Sequence, residues 1–224
     1  MHRNLNQDFF KKWSPEMAYV LGFFAADGSM LRNGRGAHFI EFTIIDRVVL
    51  EHIQYVTGST HRIAERERGG NCKTAYRLQI GSKEWFDDLS RLGFMQNKSD
   101  KLPLPSIPDS YFGDFVRGYF DGDGCVYSNT LYFAGRKNPR QILMTLFTSG
   151  CQSFLQSLWD VLRVHGIHGG SIKRKKRGFE LAFSHHDSVA LFDLMYHTDD
   201  TLELYLPRKK NKLEKAIQEL RMRS

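Results

Sequence analysis

Residues 20–28 read VLGFFAADG, and residues 116–124 read VRGYFDGDG. Each segment places a glycine before a pair of aromatic residues, and each ends in Asp-Gly. The two copies open approximately equal halves of a chain of 224 residues. Internal similarity at such a spacing predicts that the chain is built from two related structural units.

Each copy has the features of an α-helix that ends at its aspartate. The segment SPE at 14–16 supplies an N-cap serine, a proline at the first helical position and an acid in the first turn. We therefore predict a motif helix over 14–27 and a second one over 110–123. Gly28 and Gly124 are expected to end these helices in the left-handed conformation.

Two small residues lie four positions apart in each predicted helix. They are Gly22 and Ala26 in the first copy, and Gly118 and Gly122 in the second. Residues at this spacing share one face of a helix, and small side chains there allow two backbones to approach closely. Because an interior glycine costs a helix about 1 kcal/mol relative to alanine, we expect the two motif helices to pack against each other.

Asp27 and Asp123 end the two predicted helices, where the helix dipole disfavours a negative charge. Side-by-side packing of the helices would bring the two carboxylates together. A divalent cation would offset their repulsion, and Mg²⁺ typically binds one or two carboxylates together with water and phosphate oxygens. The sequence therefore predicts a metal site at these two residues.

The two segments resemble the motifs of LAGLIDADG homing endonucleases of the double-motif, single-chain type. In that family the last aspartate of each motif binds the catalytic metal, which here implies Asp27 and Asp123. The earlier acidic position of the motif is Asp121 in the second copy but Ala25 in the first. This departure does not affect the implied metal ligands.

The resemblance implies an α+β fold of two pseudo-symmetric αββαββα subdomains that form a saddle of two antiparallel sheets. We expect residues 1–100 to form the first subdomain and residues 111–224 the second. Residues 101–110, which include three of the six prolines, are expected to form an extended connector.

The resemblance also implies an activity: hydrolysis of one phosphodiester in each strand of a long, non-palindromic DNA site, leaving short 3′ overhangs. Mg²⁺ is the expected cofactor, with Mn²⁺ able to replace it and Ca²⁺ supporting binding without cleavage. The backbone carbonyls of Ala26 and Gly122 are expected to assist Asp27 and Asp123. Lys98 and Lys209 match the basic residues that the family places near the scissile phosphates, although Lys209 and Lys210 are not distinguishable by sequence.

Predicted hairpins supply a surface for double-stranded DNA. In the first half, the alternation of side chains places Arg77 and Gln79 on one strand face, where they suit guanine and adenine edges in the major groove. Basic residues near the loop tips are better suited to phosphates. The complete set of predicted DNA contacts is Arg32, Arg35, Arg62, Arg66, Arg68, Arg77, Gln79, Arg136, Lys137, Arg140, Lys173, Lys175 and Arg177.

The composition agrees with a polyanionic partner. The formal net charge is +7 at pH 7, which favours nucleic acid binding. No apolar run approaches the ~20 residues that span a membrane, and the three irregularly spaced cysteines argue against a disulfide framework. We expect an intracellular monomer, made in the cytoplasm or encoded in an organelle.

Two other functions are compatible with the same motifs. The chain could be an RNA-splicing maturase that binds its host intron, or a DNA-binding regulator that does not cleave. The presence of both Asp27 and Asp123 favours the nuclease.

Overall fold

The computed structural model describes residues 3–66, 73–96, 101–132, 134–135, 139–196 and 204–222. These residues divide into two compact units. The first contains the described residues up to Gly122 together with 204–206, and the second contains those from Asp123 to 196 together with 207–222.

The first unit begins with the helix that carries the first motif and builds one sheet. Its four strands are antiparallel and lie in the order β1-β2-β4-β3. In chain order its elements are α1 (Pro15–Asp27), β1 (Gly28–Arg32), β2 (His38–Ile44), α2 (Arg47–Thr57), β3 (Ile63–Arg66), β4 (Ala75–Gly81), α3 (Lys83–Arg91) and α4 (Asp109–Asp123), whose last residue belongs to the second unit.

The second unit repeats this order after the second motif. Its sheet is also antiparallel, with the order β5-β6-β8-β7. Its elements are β5 (Gly124–Leu131), β6 (Arg140–Ser149), α5 (Gln152–Val164), β7 (Ser171–Lys175), β8 (Gly178–Ser184), α6 (His185–Met195) and α7 (Pro207–Arg221). The predicted α+β fold with two αββαββα units is therefore confirmed.

Local sequence signals define several element ends. The Ser14 hydroxyl accepts a hydrogen bond from the Met17 amide at 3.1 Å and caps α1. Ser82 caps α3 in the same way through the Trp85 amide. Gly58 ends α2 with φ of 60°, which is the left-handed conformation that glycine adopts most readily.

Each sheet buries one face under helices. In the first unit, Phe23 and Phe24 of α1 pack on Phe42 of β2, and all three side chains are fully buried. In the second unit, Phe147 of β6 meets Phe183 of β8 edge-to-face, with ring centroids 6.1 Å apart. Burial of such rings is the dominant stabilising contribution to each core.

Gly28 and Gly124 correct the predicted helix ends. Gly28 has φ of −94° and ψ of 157° and starts β1 directly, and Gly124 starts β5 without a positive φ. A Cβ atom at Gly28 would lie 2.0 Å from the Phe24 ring. This glycine is therefore required by a close approach and not by a left-handed turn.

The start of α6 differs from the sequence pattern as well. The pattern predicts a helix over 188–196, whereas α6 begins at His185. The Ser188 side chain is fully buried, where it accepts a hydrogen bond from the Thr145 amide and donates one to the Phe183 carbonyl. The Ser188 hydroxyl therefore bonds backbone groups of the sheet and does not cap the helix.

None of the helices in the described parts of the chain is long and apolar enough to cross a membrane. Cys125 and Cys151 are free thiols, whereas Cys72 lies outside the described residues.

Candidate metal and nucleic-acid site

Two glycines bring the backbones of the motif helices into contact within the first unit. A Cβ atom added to Gly22 would lie 2.0 Å from the Phe115 carbonyl oxygen, and one added to Gly118 would lie 2.0 Å from the Tyr19 carbonyl oxygen. Neither position has room for any side chain. The predicted packing of the two motif helices is confirmed, and the reciprocal contact fixes their register.

This register places the Asp27 carboxylate beside Gly122. A Cβ atom at Gly122 would lie 2.4 Å from the Ala26 Cβ and 3.3 Å from Asp27 Oδ2. Asp27 is the last residue of α1 and is half-buried. Because the C-terminal end of a helix carries partial negative charge, a cation is the ligand that this end of α1 favours.

Asp123 starts the second unit and borders a cavity of about 300 Å³. Its backbone carbonyl accepts a hydrogen bond from Thr148 Oγ1 at 3.0 Å. Lys175, the last residue of β7, and Arg177, in the turn between β7 and β8, line the same cavity. Asp123, Lys175 and Arg177 thus border a space in which a phosphate group could be held.

The geometry of Gly178 shapes this cavity. Gly178 has φ of +142°, and a Cβ atom there would lie 2.5 Å from the Ser149 carbonyl oxygen. The β7–β8 turn therefore approaches the end of β6 at backbone distance. Lys175 Nζ also contacts Glu180 Oε1 at 2.8 Å, which holds this lysine at the base of the turn.

The donor chemistry at the two motif aspartates fits a hard divalent cation. Asp27 and Asp123 are each half-buried, and carboxylate oxygens are ligands that hard divalent cations prefer. Within the described ranges, no group of three or more His, Cys, Asp or Glu side chains is arranged to hold a metal. Mg²⁺ needs no such cage, because it retains water ligands and takes up substrate phosphates.

The two lysines predicted near the scissile phosphates are in different situations. Lys98 lies outside the described residues. Lys209 is in the first turn of α7 and is only 7% exposed. Lys210, the alternative, is half-buried, and its Nζ lies 5.3 Å from the centroid of the Tyr196 ring. The assignment of Lys209 remains a prediction.

The first sheet brings several predicted DNA contacts onto one face. In the observed register, Ala64 pairs with Arg77 and Arg66 pairs with Ala75. Because alternate residues of a strand lie on one face, Arg66, Arg77 and Gln79 share a face of the sheet. Arg77 Nη1 lies 3.5 Å from Glu41 Oε2, and Gln79 donates a hydrogen bond to the same oxygen at 3.2 Å. The two predicted base-reading side chains are therefore linked through one acid that is only 8% exposed.

Three other basic residues of the first unit are dispersed. Arg35 is exposed in the turn between β1 and β2, and Arg62 is exposed just before β3. Arg32 pairs with His38 at the end of β1 and alternates onto the side of the sheet that carries the buried Met30. Arg68, Arg136 and Lys137 lie outside the described residues.

In the second sheet, Arg140, Lys173 and Lys175 alternate onto one face and are exposed. Arg177 is exposed in the adjoining turn. The predicted contacts of this unit therefore lie on the open side of its sheet or at its tip.

Sequence reasoning missed the central residues of the open faces. On β6, Ile142, Met144 and Leu146 point to the open side, while Leu143, Thr145 and Phe147 are buried. Because both sets are largely apolar, their pattern could not identify the open face. Glu41 was also missed, and only its cross-strand position opposite Gln79 reveals its role.

The sequence of this chain is similar to known proteins. Residues 14–92 match the model of the LAGLIDADG-like domain family. MJ0398, an uncharacterized protein of Methanocaldococcus jannaschii, is 24% identical over 212 residues, which are 91% of this chain and 66% of that protein. The chain therefore spans about two thirds of the length of this relative.

Solved structures of meganucleases have the same fold. I-SmaMI bound to uncleaveable DNA superposes with a TM-score of 0.63 at 16% identity, covering 92% of this chain and 88% of that one. I-AabMI bound to uncleaved DNA gives 0.64 at 13% identity, with coverage of 94% and 92%. I-WcaI, a homing endonuclease bound to its DNA recognition sequence, gives 0.62 at 18% identity, with coverage of 92% and 90%. I-SmaMI has also been solved on uncleaved target in the presence of calcium ions and on cleaved DNA.

Proposed function

This chain carries a LAGLIDADG-like domain and has the fold of LAGLIDADG meganucleases, and from this premise we propose that it is a site-specific double-strand DNA endonuclease. It would act as a single chain, since both motifs are on it, and hydrolyse one phosphodiester in each strand of a long, non-palindromic target. The observation that supports this proposal is the glycine-mediated packing of α1 on α4, which ends with the Asp27 carboxylate beside Gly122.

Asp27 and Asp123 are the proposed ligands of divalent metal, assisted by the backbone carbonyls of Ala26 and Gly122. When bound, Mg²⁺ would supply Lewis-acid chemistry, lowering the pKa of a water molecule and neutralising charge on phosphate oxygens. The chain contributes two part-exposed carboxylates held by helix packing. A metal-dependent hydrolase requires such protein groups to be held in the geometry of the reaction.

Basic side chains would hold the substrate around these acids. Lys175 and Arg177 line the cavity that Asp123 borders, and we assign them to phosphates of the DNA near the bond that is cut. A fixed cation next to a phosphoryl group stabilises the charge that develops in the transition state. We assign the same role to Lys98 and Lys209.

The open faces of the sheets would read the target in the major groove. Arg77 and Gln79 suit direct base contacts, whereas Arg35, Arg62, Arg140 and Lys173 suit the phosphate backbone. Similar folds have been solved on DNA, which supports this assignment. Because phosphate contacts release counterions, binding should weaken steeply with salt.

A selection on DNA followed by cleavage tests the proposal. The full chain is incubated with a duplex library that has a randomised core, first with Ca²⁺ to isolate bound sequences and then with Mg²⁺. We expect linear double-strand products with short 3′ overhangs, and Mn²⁺ should replace Mg²⁺. Chelation of the metal by EDTA should abolish cleavage.

Two variants and a control test whether Asp27 and Asp123 are required for cleavage. Asp27→Asn and Asp123→Asn should each lose cleavage while retaining DNA binding in Ca²⁺. Asp193→Asn is the matched control, because Asp193 is an exposed acid on α6, and it should cleave normally. Sequence-specific binding with no cleavage under any metal would instead favour a DNA-binding regulator, and binding of intron RNA alone would favour a maturase.

A further inference from the structure

The open face of the second sheet has an apolar centre. Strand pairing sets Met144 beside Tyr127 on one side and Ser184 on the other. The flanking β6 positions on this face are Ile142 and Leu146, and all three β6 side chains are partly exposed. Tyr127 is 45% exposed. This face is therefore not covered by the helices that bury Leu143 and Phe147.

Cations border this apolar centre. Lys173 and Lys175 on β7 and Arg140 on β6 alternate onto the same face and are exposed. Among the described strand residues of this face, Glu180 is the only acid, and it is held by Lys175 at 2.8 Å. A DNA groove combines anionic phosphates at its edges with base edges that are partly apolar. An apolar strip bordered by cations is therefore complementary to a DNA groove.

The first sheet offers a contrasting face. Its centre holds Glu41, Arg77 and Gln79, which hydrogen-bond or pair with one another. The centres of the two open faces thus differ: charged and amide groups lie at the centre of the first, and branched or thioether side chains at the centre of the second.

We infer that Ile142, Met144 and Leu146 read the 5-methyl groups of thymine, so that the part of the target that lies against the second sheet is thymine-rich. This inference rests on the proposed DNA-binding function. In the major groove, the thymine methyl is the apolar group by which a base pair is distinguished. Guanine or cytosine at the same place would leave polar groups facing side chains that cannot hydrogen-bond, and unsatisfied polar groups are costly.

Removal of the methyl group alone is the sharpest test. Sequences bound by the full chain are first selected from the randomised duplex library in Ca²⁺. Thymines of each half of the selected site are then replaced by deoxyuridine, which keeps base pairing and lacks only the methyl. We expect affinity to fall about fourfold for each contacted methyl in one half, and to be unchanged in the other half.

A pair of variants identifies which half lies against the second sheet. Met144→Gln should change the selected bases in the thymine-rich half and reduce its penalty for deoxyuridine. Arg77→Gln, on the first sheet, should change bases only in the other half. Circular dichroism and thermal unfolding establish that both variants remain folded, and the deoxyuridine measurement on the unmodified chain stands regardless of them.

Three outcomes would overturn the inference. Selected sites without thymine enrichment, or with no penalty for deoxyuridine, would do so while leaving DNA binding and cleavage intact. Specific binding in which Met144→Gln alters no base preference would mean that this face covers another partner, such as a protein. Failure to select any DNA would remove the proposed function itself and is therefore distinguishable from the other two results.

Discussion

The Tyr19 hydroxyl donates a hydrogen bond to Asp121 Oδ2 at 2.9 Å, which joins the first motif helix to the second inside the core of the first unit. The Leu206 amide donates to the same oxygen at 2.7 Å. Asp121 has no exposed surface. The acid two positions before the final motif aspartate therefore holds residues 204–206 against α4.

A buried arginine of α4 also holds residues 204–206. Arg117 Nε donates to the Leu204 carbonyl at 2.9 Å, and its Nη2 pairs with Asp114 Oδ1 at 2.8 Å. Arg117 and Asp114 are both buried. Two separate side chains of α4 thus hold the same short segment, so this segment is fixed from both its carbonyl and its amide groups.

Substitution of Asp121 should destabilise the fold without changing metal dependence. Asp121→Ala removes the acceptor of the Tyr19 hydroxyl and of the Leu206 amide, and loss of a buried hydrogen-bond partner costs about 1–3 kcal/mol. Tyr19→Phe is the milder control, with an expected loss of about 1 kcal/mol. Urea unfolding measures both. Asp121→Asn should still cleave DNA with a normal Mg²⁺ requirement, and loss of metal response in a folded Asp121→Asn protein would assign this acid to the metal site.

The helix contact should tolerate no side chain. Gly118→Ala would gain about 1 kcal/mol of helix propensity, but its Cβ would meet the Tyr19 carbonyl oxygen at 2.0 Å. Overpacking of this kind costs about 1–3 kcal/mol and sometimes more, so the net effect should be a loss of stability. Gly22→Ala should behave alike. Gly34→Ala has no atom within 4 Å of its Cβ, and its unfolding free energy should change by less than about 0.5 kcal/mol.

Local chemistry explains which parts of the fold could be predicted from the sequence. Ser14 and Ser82 cap helices through hydrogen bonds to residues three positions later, so their roles are visible in a short window. Gly28 could not be understood in this way, because it is needed by the packing of the Phe24 ring and not by its own φ. Ser188 was misassigned because its hydroxyl serves a strand more than forty residues away.

In the candidate site, too, contacts between residues distant in the sequence could not be predicted. Repetition of the motif indicated that Gly22 and Gly118 would face each other, and they do. By contrast, the link from Arg77 and Gln79 to Glu41 depends on strand register across residues far apart in the chain. The sequence also could not identify the open face of β6, because apolar residues occupy both sides of that strand.

His61 should make stability depend on pH. It is 5% exposed, and its Nδ1 lies 3.1 Å from the Ser59 hydroxyl. Burial, with a smaller contribution from Arg3, holds the pKa of His61 below its ordinary value of 6.5. The unfolded chain then binds more protons than the folded one as the pH falls below about 6.5, so the free energy of unfolding should decrease. His61→Gln should remove this part of the pH dependence between about pH 7 and 5.5, and an identical pH profile for that variant would contradict the assignment.

The turn between β7 and β8 should contact the phosphates nearest to the bond that is cut. Arg177 and Lys175 line the cavity at Asp123, whereas Lys176 is exposed and does not line it. Arg177→Ala should lower the slope of log affinity against log salt by about 1, because one phosphate contact is lost. It should also lower the single-turnover cleavage rate by on the order of 10²-fold, because a cation beside the developing charge is removed. Lys176→Ala is the matched control of equal formal charge. Equal effects of the two substitutions would mean that only the net charge of the turn matters, and that Arg177 holds no particular phosphate.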